Sequence, residues 1–411
     1  MRSFLLLSVL LACSMAEEIE TKLSPLQAVS KSVESFSTNF YKTVSKNEKG
    51  NLITSPLSAG VVLSMAAYGA RENTEKQMRD VLKLPADDTL GRSGFQNLID
   101  NLNSVKDVEL RLANKIFPKK GLEIKPEFKA LTADSFRSAE EQLDFAQSAE
   151  SASIINAWCQ NKTNNKIKDL IKPDDLNSDT AMVLVNAVYF KGQWKKKFDA
   201  KNTEERPFHI DHKTVKNVST MYQSVNIIYG VLPDLKAKFV EIPYKGEEVS
   251  MIIVLPDEVN GLAELEQKLE NLDINTLRQK GYPHDVELYL PKFKIESTIE
   301  LNNVLTEMGM EEMFSDKANF SGIADVPLKV SKVLQKAFIE VNEEGAEAAA
   351  ATGLSGRRFL VELDRLVFDV NKPFLFFLIT TFKTSVIFQG HLQDPAKYQT
   401  LVTFDRVKTI K

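Results

Sequence analysis

A chain of 411 residues with 43% hydrophobic and 26% charged side chains can bury a large core and is too apolar to stay disordered. Its formal charge of −4 excludes a general nucleic-acid or anionic-membrane binder, which needs a basic surplus. With two cysteines, Cys13 and Cys159, it is not a disulfide-stapled scaffold.

The amino terminus reads as a leader peptide. Arg2 supplies the positive start, Phe4 to Ala12 the apolar core and Ser14-Met15-Ala16 a small-residue cleavage site, so residues 1–16 are expected to be removed. The apolar stretch is too short to span a bilayer, and Glu17-Glu18 follow at once. Cleavage takes away Cys13 and Arg2, moving the charge from −4 to −5 and leaving Cys159 as a half-buried helical thiol. A secreted, extracellular, monomeric protein without cofactor, metal or membrane span is expected. No Gly/Ser-rich or Pro-rich linker divides residues 17–411, which are read as one domain.

Ser24-Pro25 makes an N-cap with proline at the first helical position, and Val29, Val33, Phe36, Phe40 and Val44 then recur at helical spacing. Pro56 to Tyr68 and Glu72 to Leu82 continue as helices around Gly69. Strands dominate later. Met182 to Phe190, Val249 to Leu255, Val286 to Leu290 and Ser331 to Asn342 have strand patterns, and Phe374 to Leu378 and Val386 to Phe388 read as buried strands. The class is α+β, with helices in the first half and large sheets in the second.

Catalytic chemistry is missing. The histidines, His209, His212, His284 and His391, lie near no Gly-x-Ser-x-Gly elbow, and there is no phosphate loop or dinucleotide fingerprint. His209-Ile210-Asp211-His212 reads as a solvated turn, not as metal ligands. The chain is therefore not expected to be an enzyme. Its most distinctive stretch is Glu343-Glu344-Gly345-Ala346-Glu347-Ala348-Ala349-Ala350-Ala351-Thr352, followed by Gly353-Leu354-Ser355-Gly356-Arg357-Arg358-Phe359-Leu360. Taken alone the alanines suit a short helix. In extended form Ala346, Ala348 and Ala350 would share a face small enough to enter a packed sheet.

The flanking residues decide between these. The alternating run Ser331 to Asn342, the Asn371-Lys372-Pro373-Phe374 signature, Asn51-Leu52-Ile53-Thr54-Ser55-Pro56-Leu57-Ser58 and Leu184-Val185-Asn186-Ala187-Val188-Tyr189-Phe190-Lys191-Gly192-Gln193-Trp194 occur in one order. Over about residues 25 to 395 the chain resembles the serpin family, and its hinge wording is similar to insect extracellular, antichymotrypsin-like members.

The resemblance implies a serpin fold with an exposed reactive-centre loop at about 343–367 and a hinge at Gly345, Ala346, Glu347, Ala348, Ala349, Ala350 and Ala351. It also implies a sheet-opening region matched by Ser55, Asn186, Gln335 and Trp194. The scissile bond of inhibitory members usually lies 14 residues beyond the hinge glycine, which gives Phe359–Leu360 and a covalent 1:1 complex with a chymotrypsin-like serine protease. A loop one residue shorter in register would put the bond at Arg358–Phe359 and favour a trypsin-like enzyme. A non-inhibitory carrier or storage role is the other alternative.

Two departures stand out. Gln335 replaces the histidine that many members carry beneath the point of sheet opening, and Lys397 to Lys411 run past the usual end. The stretch matched to the family's basic helix, Thr89 to Val108, holds only Arg92 and Lys106 as cations, so heparin activation is not expected. Asn161, Asn217 and Asn319 begin glycosylation sequons.

Overall fold

The computed structural model describes residues 23–46, 48, 50–269, 272, 274–345, 366–381, 385–397 and 399–402. The leader 1–16, hinge positions 346–351 and the bait residues Arg358, Phe359 and Leu360 lie outside the described residues.

Helix α1 (Pro25–Ser45) starts where the capping residues place it. The Gln27 N–H donates to Ser24 Oγ at 3.3 Å and the Ser24 N–H donates to Gln27 Oε1 at 2.9 Å. Its stripe Val29, Val33, Phe36, Phe40 and Val44 is at most 5% exposed. Strand β1 (Leu52–Thr54) leads to Ser55, which caps α2 (Pro56–Ala67). Every residue of α2 is buried, as suits a helix apolar on all sides. Helices α3 (Glu72–Leu82) and α4 (Asp88–Ser104) follow, then strand β2 (Val108–Pro118), helices α5 (Pro126–Phe136) and α6 (Ser148–Lys162), and strand β3 (Met182–Gly192).

The second half is mostly sheet. Strands β4 (Glu204–His209), β5 (Val215–Leu232), β6 (Ala237–Pro243), β7 (Val249–Pro256) and β8 (Tyr282–Pro291) join β1, β11 (Leu366–Asp369), β12 (Phe374–Thr380) and β13 (Val386–Leu392) in a nine-stranded sheet. A separate sheet has the order β14-β9-β10-β3-β2, with β9 spanning Phe293–Glu300, β10 Lys332–Val341 and β14 Gln399–Val402. The expected α+β architecture is present. Strand β2 was not anticipated, because Val108 to Pro118 carries Glu109, Arg111, Asn114 and Lys115 among its apolar residues.

Both faces of the five-stranded sheet are covered. Met182, Leu184, Val188 and Phe190 face the main core with α2, whereas Val183, Val185, Ala187 and Tyr189 face a smaller core closed by α6. This two-sided burial explains the unbroken apolar run of β3. Ile155 and Cys159, one helical turn apart, meet the sheet from α6. Cys159 is 0% exposed, so the half-buried thiol expected from sequence is corrected to a fully buried one. Its neighbour Trp158 takes the helix edge instead. No helix among the described residues is long and apolar enough to cross a membrane.

Candidate functional site at a parallel seam

Strands β3 and β10 lie side by side and run parallel, from Lys332 opposite Val183 to Phe338 opposite Tyr189. Their other neighbours, β2 and β9, are antiparallel to them. A segment running back down from the end of β10 would therefore be antiparallel to both strands of this seam. The chain turns back at that end. Asn342 and Gly345 close a tight turn, and Gly345 bridges to Gln193 just beyond β3.

Glycine is required at this turn. Gly345 has φ +115°, and a Cβ there would stand 2.2 Å from the Gly192 carbonyl oxygen and 2.7 Å from the Trp194 nitrogen. The preceding residues are tied down. The Trp194 N–H donates to the Glu344 carbonyl at 2.9 Å, its indole Nε1 donates to the Asn342 carbonyl at 2.9 Å, and the Phe198 N–H donates to the Glu343 carbonyl at 3.0 Å. Trp194 is 1% exposed and stacks on Tyr244, with ring centroids 4.3 Å apart.

Two acids complete the anchor. Lys197 pairs with Glu344, while the Glu343 carboxylate receives Lys292 Nζ at 2.9 Å and Thr203 Oγ1 at 2.9 Å. Burial pushes the Glu343 carboxyl up. Hydrogen bonds from Lys292, its own N–H and Thr203 together outweigh this and leave it below its ordinary 4.5. A carboxyl lowered on folding stabilises above that ordinary value and loses its contribution as pH falls through the lowered one. The anchor is at full strength at neutral pH.

Lower in the seam, Gln335 of β10 stands directly opposite Asn186 of β3. All four hydrogen-bonding positions of its amide are used. Oε1 accepts from Thr54 Oγ1 at 2.6 Å and from the Ser55 N–H at 3.0 Å; Nε2 donates to the Ser55 carbonyl at 2.9 Å and to Asn186 Oδ1 at 2.6 Å. Asn186 Nδ2 continues the chain to Ser58 Oγ and to Asn114 Oδ1 on β2. Ser55 Oγ points away from Gln335 and donates to the Ile387 carbonyl at 2.6 Å. Ser55, Asn186 and Gln335 are 0% exposed.

Of the four residues matched to a sheet-opening region, the structure brings Ser55, Asn186 and Gln335 together and sets Trp194 against the Asn342–Gly345 turn. Sequence reasoning missed Thr54, Ser58 and Asn114. The available signal was polarity at positions where the surrounding pattern demands apolar side chains. Because glutamine does not titrate, the network should be indifferent to pH. Replacing Gln335→His should make it sensitive. The histidine must be neutral to accept from the Ser55 N–H, so its folded-state pKa falls below the unfolded ~6.5, and stability is lost as pH drops below that value. Melting temperatures from pH 8 to pH 5 test this. The variant should show an acid-side decline that wild type lacks, and parallel profiles would contradict the assignment.

The sequons differ in setting. Asn161 on α6 and Asn217 on β5 are exposed. Asn319 is half-buried, its Nδ2 donating to Glu72 Oε2 at 3.1 Å and its Oδ1 accepting from the Ser321 N–H at 3.1 Å. His209 ends β4 and Ile210 to His212 open the turn of the β4–β5 hairpin, where Asp211 accepts from the N–H groups of Lys213 and Thr214 at 2.7 Å each. Among the described residues no three His, Cys, Asp or Glu are grouped to hold a metal.

Known proteins share this fold. The family model described as serpin (serine protease inhibitor) matches residues 31–395. Antichymotrypsin-2 of Bombyx mori is 38% identical over 349 residues, covering 84% of this chain and 93% of its own length. Antitrypsin of Bombyx mori is 38% identical over 350 residues, covering 84% and 89%. Among solved structures, Serpin48 of the insect Tenebrio molitor, described as a highly specific serpin, aligns with a TM-score of 0.82 at 34% identity, covering 90% of this chain and 98% of that one. By this match along most of its length the chain belongs to the serpin family of serine protease inhibitors.

Proposed function

We propose that the chain is a secreted suicide-substrate inhibitor of chymotrypsin-like serine proteases. The observation that carries this reading is the parallel β3–β10 seam with Gly345 anchored at its upper end. The small-residue run Ala346 to Ala351 begins immediately after that glycine.

The protease serine oxygen attacks the Phe359 carbonyl, the Leu360 amine leaves with a proton from the catalytic histidine, and an acyl ester remains. Release of the amino-terminal arm lets residues from Ala346 onward descend into the seam. One parallel interface is exchanged for two antiparallel ones, a net gain of roughly ten backbone hydrogen bonds at ~1 kcal/mol each. The acylated protease is carried along and its catalytic geometry is disturbed before water can hydrolyse the ester. The uncleaved form is then a kinetically held state.

The choice of Phe359 rests on the count from Gly345, since relatives named antichymotrypsin and antitrypsin are equally similar. Arg357-Arg358 gives the trypsin-like reading its own support. Sequencing the fragment released from a denaturing-gel-stable chymotrypsin complex should give Leu360 first. A fragment starting at Phe359, with trypsin complexes forming faster, would move the bond to Arg358. Simple digestion by both enzymes without a stable complex would favour a non-inhibitory carrier.

A further inference from the structure

The chain continues past residue 395, where the family match ends, and the structure gives that continuation a defined place. Strand β14 runs parallel to β9, with Gln399 opposite Glu296 and Val402 opposite Ile299. Without it β9 would be the outer strand of the five-stranded sheet, presenting a row of unpaired N–H and C=O groups on the side away from β10.

The turn leading to β14 is anchored at both ends by one buried side chain. Asn51, 2% exposed, accepts at Oδ1 from the N–H groups of Gln393 and Asp394, both at 2.8 Å. Its Nδ2 donates to the carbonyls of Asp394 at 2.7 Å and Lys397 at 2.5 Å. Lys216 Nζ holds the Asp394 carboxylate at 2.7 Å. The chain therefore leaves β13 on a fixed path and arrives at the β9 edge.

We propose that residues 399–402 form a built-in edge cap. The chain's own tail occupies a sheet edge that would otherwise pair with an extended segment of a second copy. The cap lies two strands away from the β3–β10 seam, so it closes the outer edge and leaves the seam free. This holds whether or not the chain traps a protease.

Two variants test it. One ends after Lys397, keeping the Asn51 contacts and removing β14; the other is full-length with Thr400→Pro and Leu401→Pro together. Adjacent strand residues point their N–H groups to opposite sides, so the double change removes a bond to β9 in either alternation. Deuterium exchange of residues 293–300 should become about tenfold faster at the outward-facing amides in both variants, with β10 unchanged. On warming below its melting temperature, the truncated chain should form dimers and larger oligomers that wild type does not. Unchanged exchange in β9 would overturn the proposal. So would equal acceleration in β10 and β3, which would mean general loosening, or a truncated chain that stays monomeric on warming.

Discussion

The variant Ala348→Arg is expected to be cleaved by chymotrypsin as a plain substrate, with at least about 10-fold less gel-stable complex than wild type. The reason lies in the two-sided burial of β3 and β10. A strand entering their seam has the main core on one face and the α6 core on the other, so an inserted side chain is buried whichever way it points. A guanidinium placed there without a partner costs several kcal/mol, and each 1.4 kcal/mol is tenfold in a rate or equilibrium. Insertion slows while the bait, eleven positions further on, is acylated as before. Hydrolysis of the ester then wins. Trapping by the variant at wild-type efficiency would remove hinge insertion from the mechanism.

Nicking the loop between Gly353 and Phe359 should raise the melting temperature by roughly 20 °C. The estimate takes about ten net hydrogen bonds at ~1 kcal/mol and about 2 °C per kcal/mol for a chain of this size. Calorimetry of the nicked and intact proteins measures it directly. An ordinary protein loses stability when a loop is cut, so even the sign is informative. A nicked protein that melts at or below the intact one would leave the seam without a guest and strengthen the carrier reading.

The elements anticipated from sequence were legible because local chemistry and tertiary role agree there. Ser24-Pro25 starts α1, and the alternating faces of β10 and the apolar runs of β12 and β13 lie where their patterns put them. Strand β2 was hidden because its charged residues belong to ion pairs, Arg111 with Glu109 and Lys115 with Glu141, that link its side chains to neighbours. The seam network was only partly legible. Gln335, Asn186 and Ser55 emerged through the family resemblance, whereas the parts played by Thr54, Ser58 and Asn114 depend on four strands and a helix N-terminus converging. Strand β14 carried no comparable sign, since its pairing depends on an edge supplied by β9 about a hundred residues earlier.

Helix α6 lies across the outer face of the seam, and that position makes its cysteine a clock. Tyr189 and Phe338 stack across β3 and β10 with centroids 6.3 Å apart, in the same small core that holds Cys159. Burial pushes the Cys159 thiol up to about 12 against an opposing pull from Lys336, so in the closed molecule it is neutral and out of reach. A small alkylating reagent can act only in the moments when this small core opens. The labelling rate of the intact protein therefore counts those openings, and, on the proposed trapping function, comparing it with the rate of complex formation would tell whether this small core or the strands set the pace of insertion.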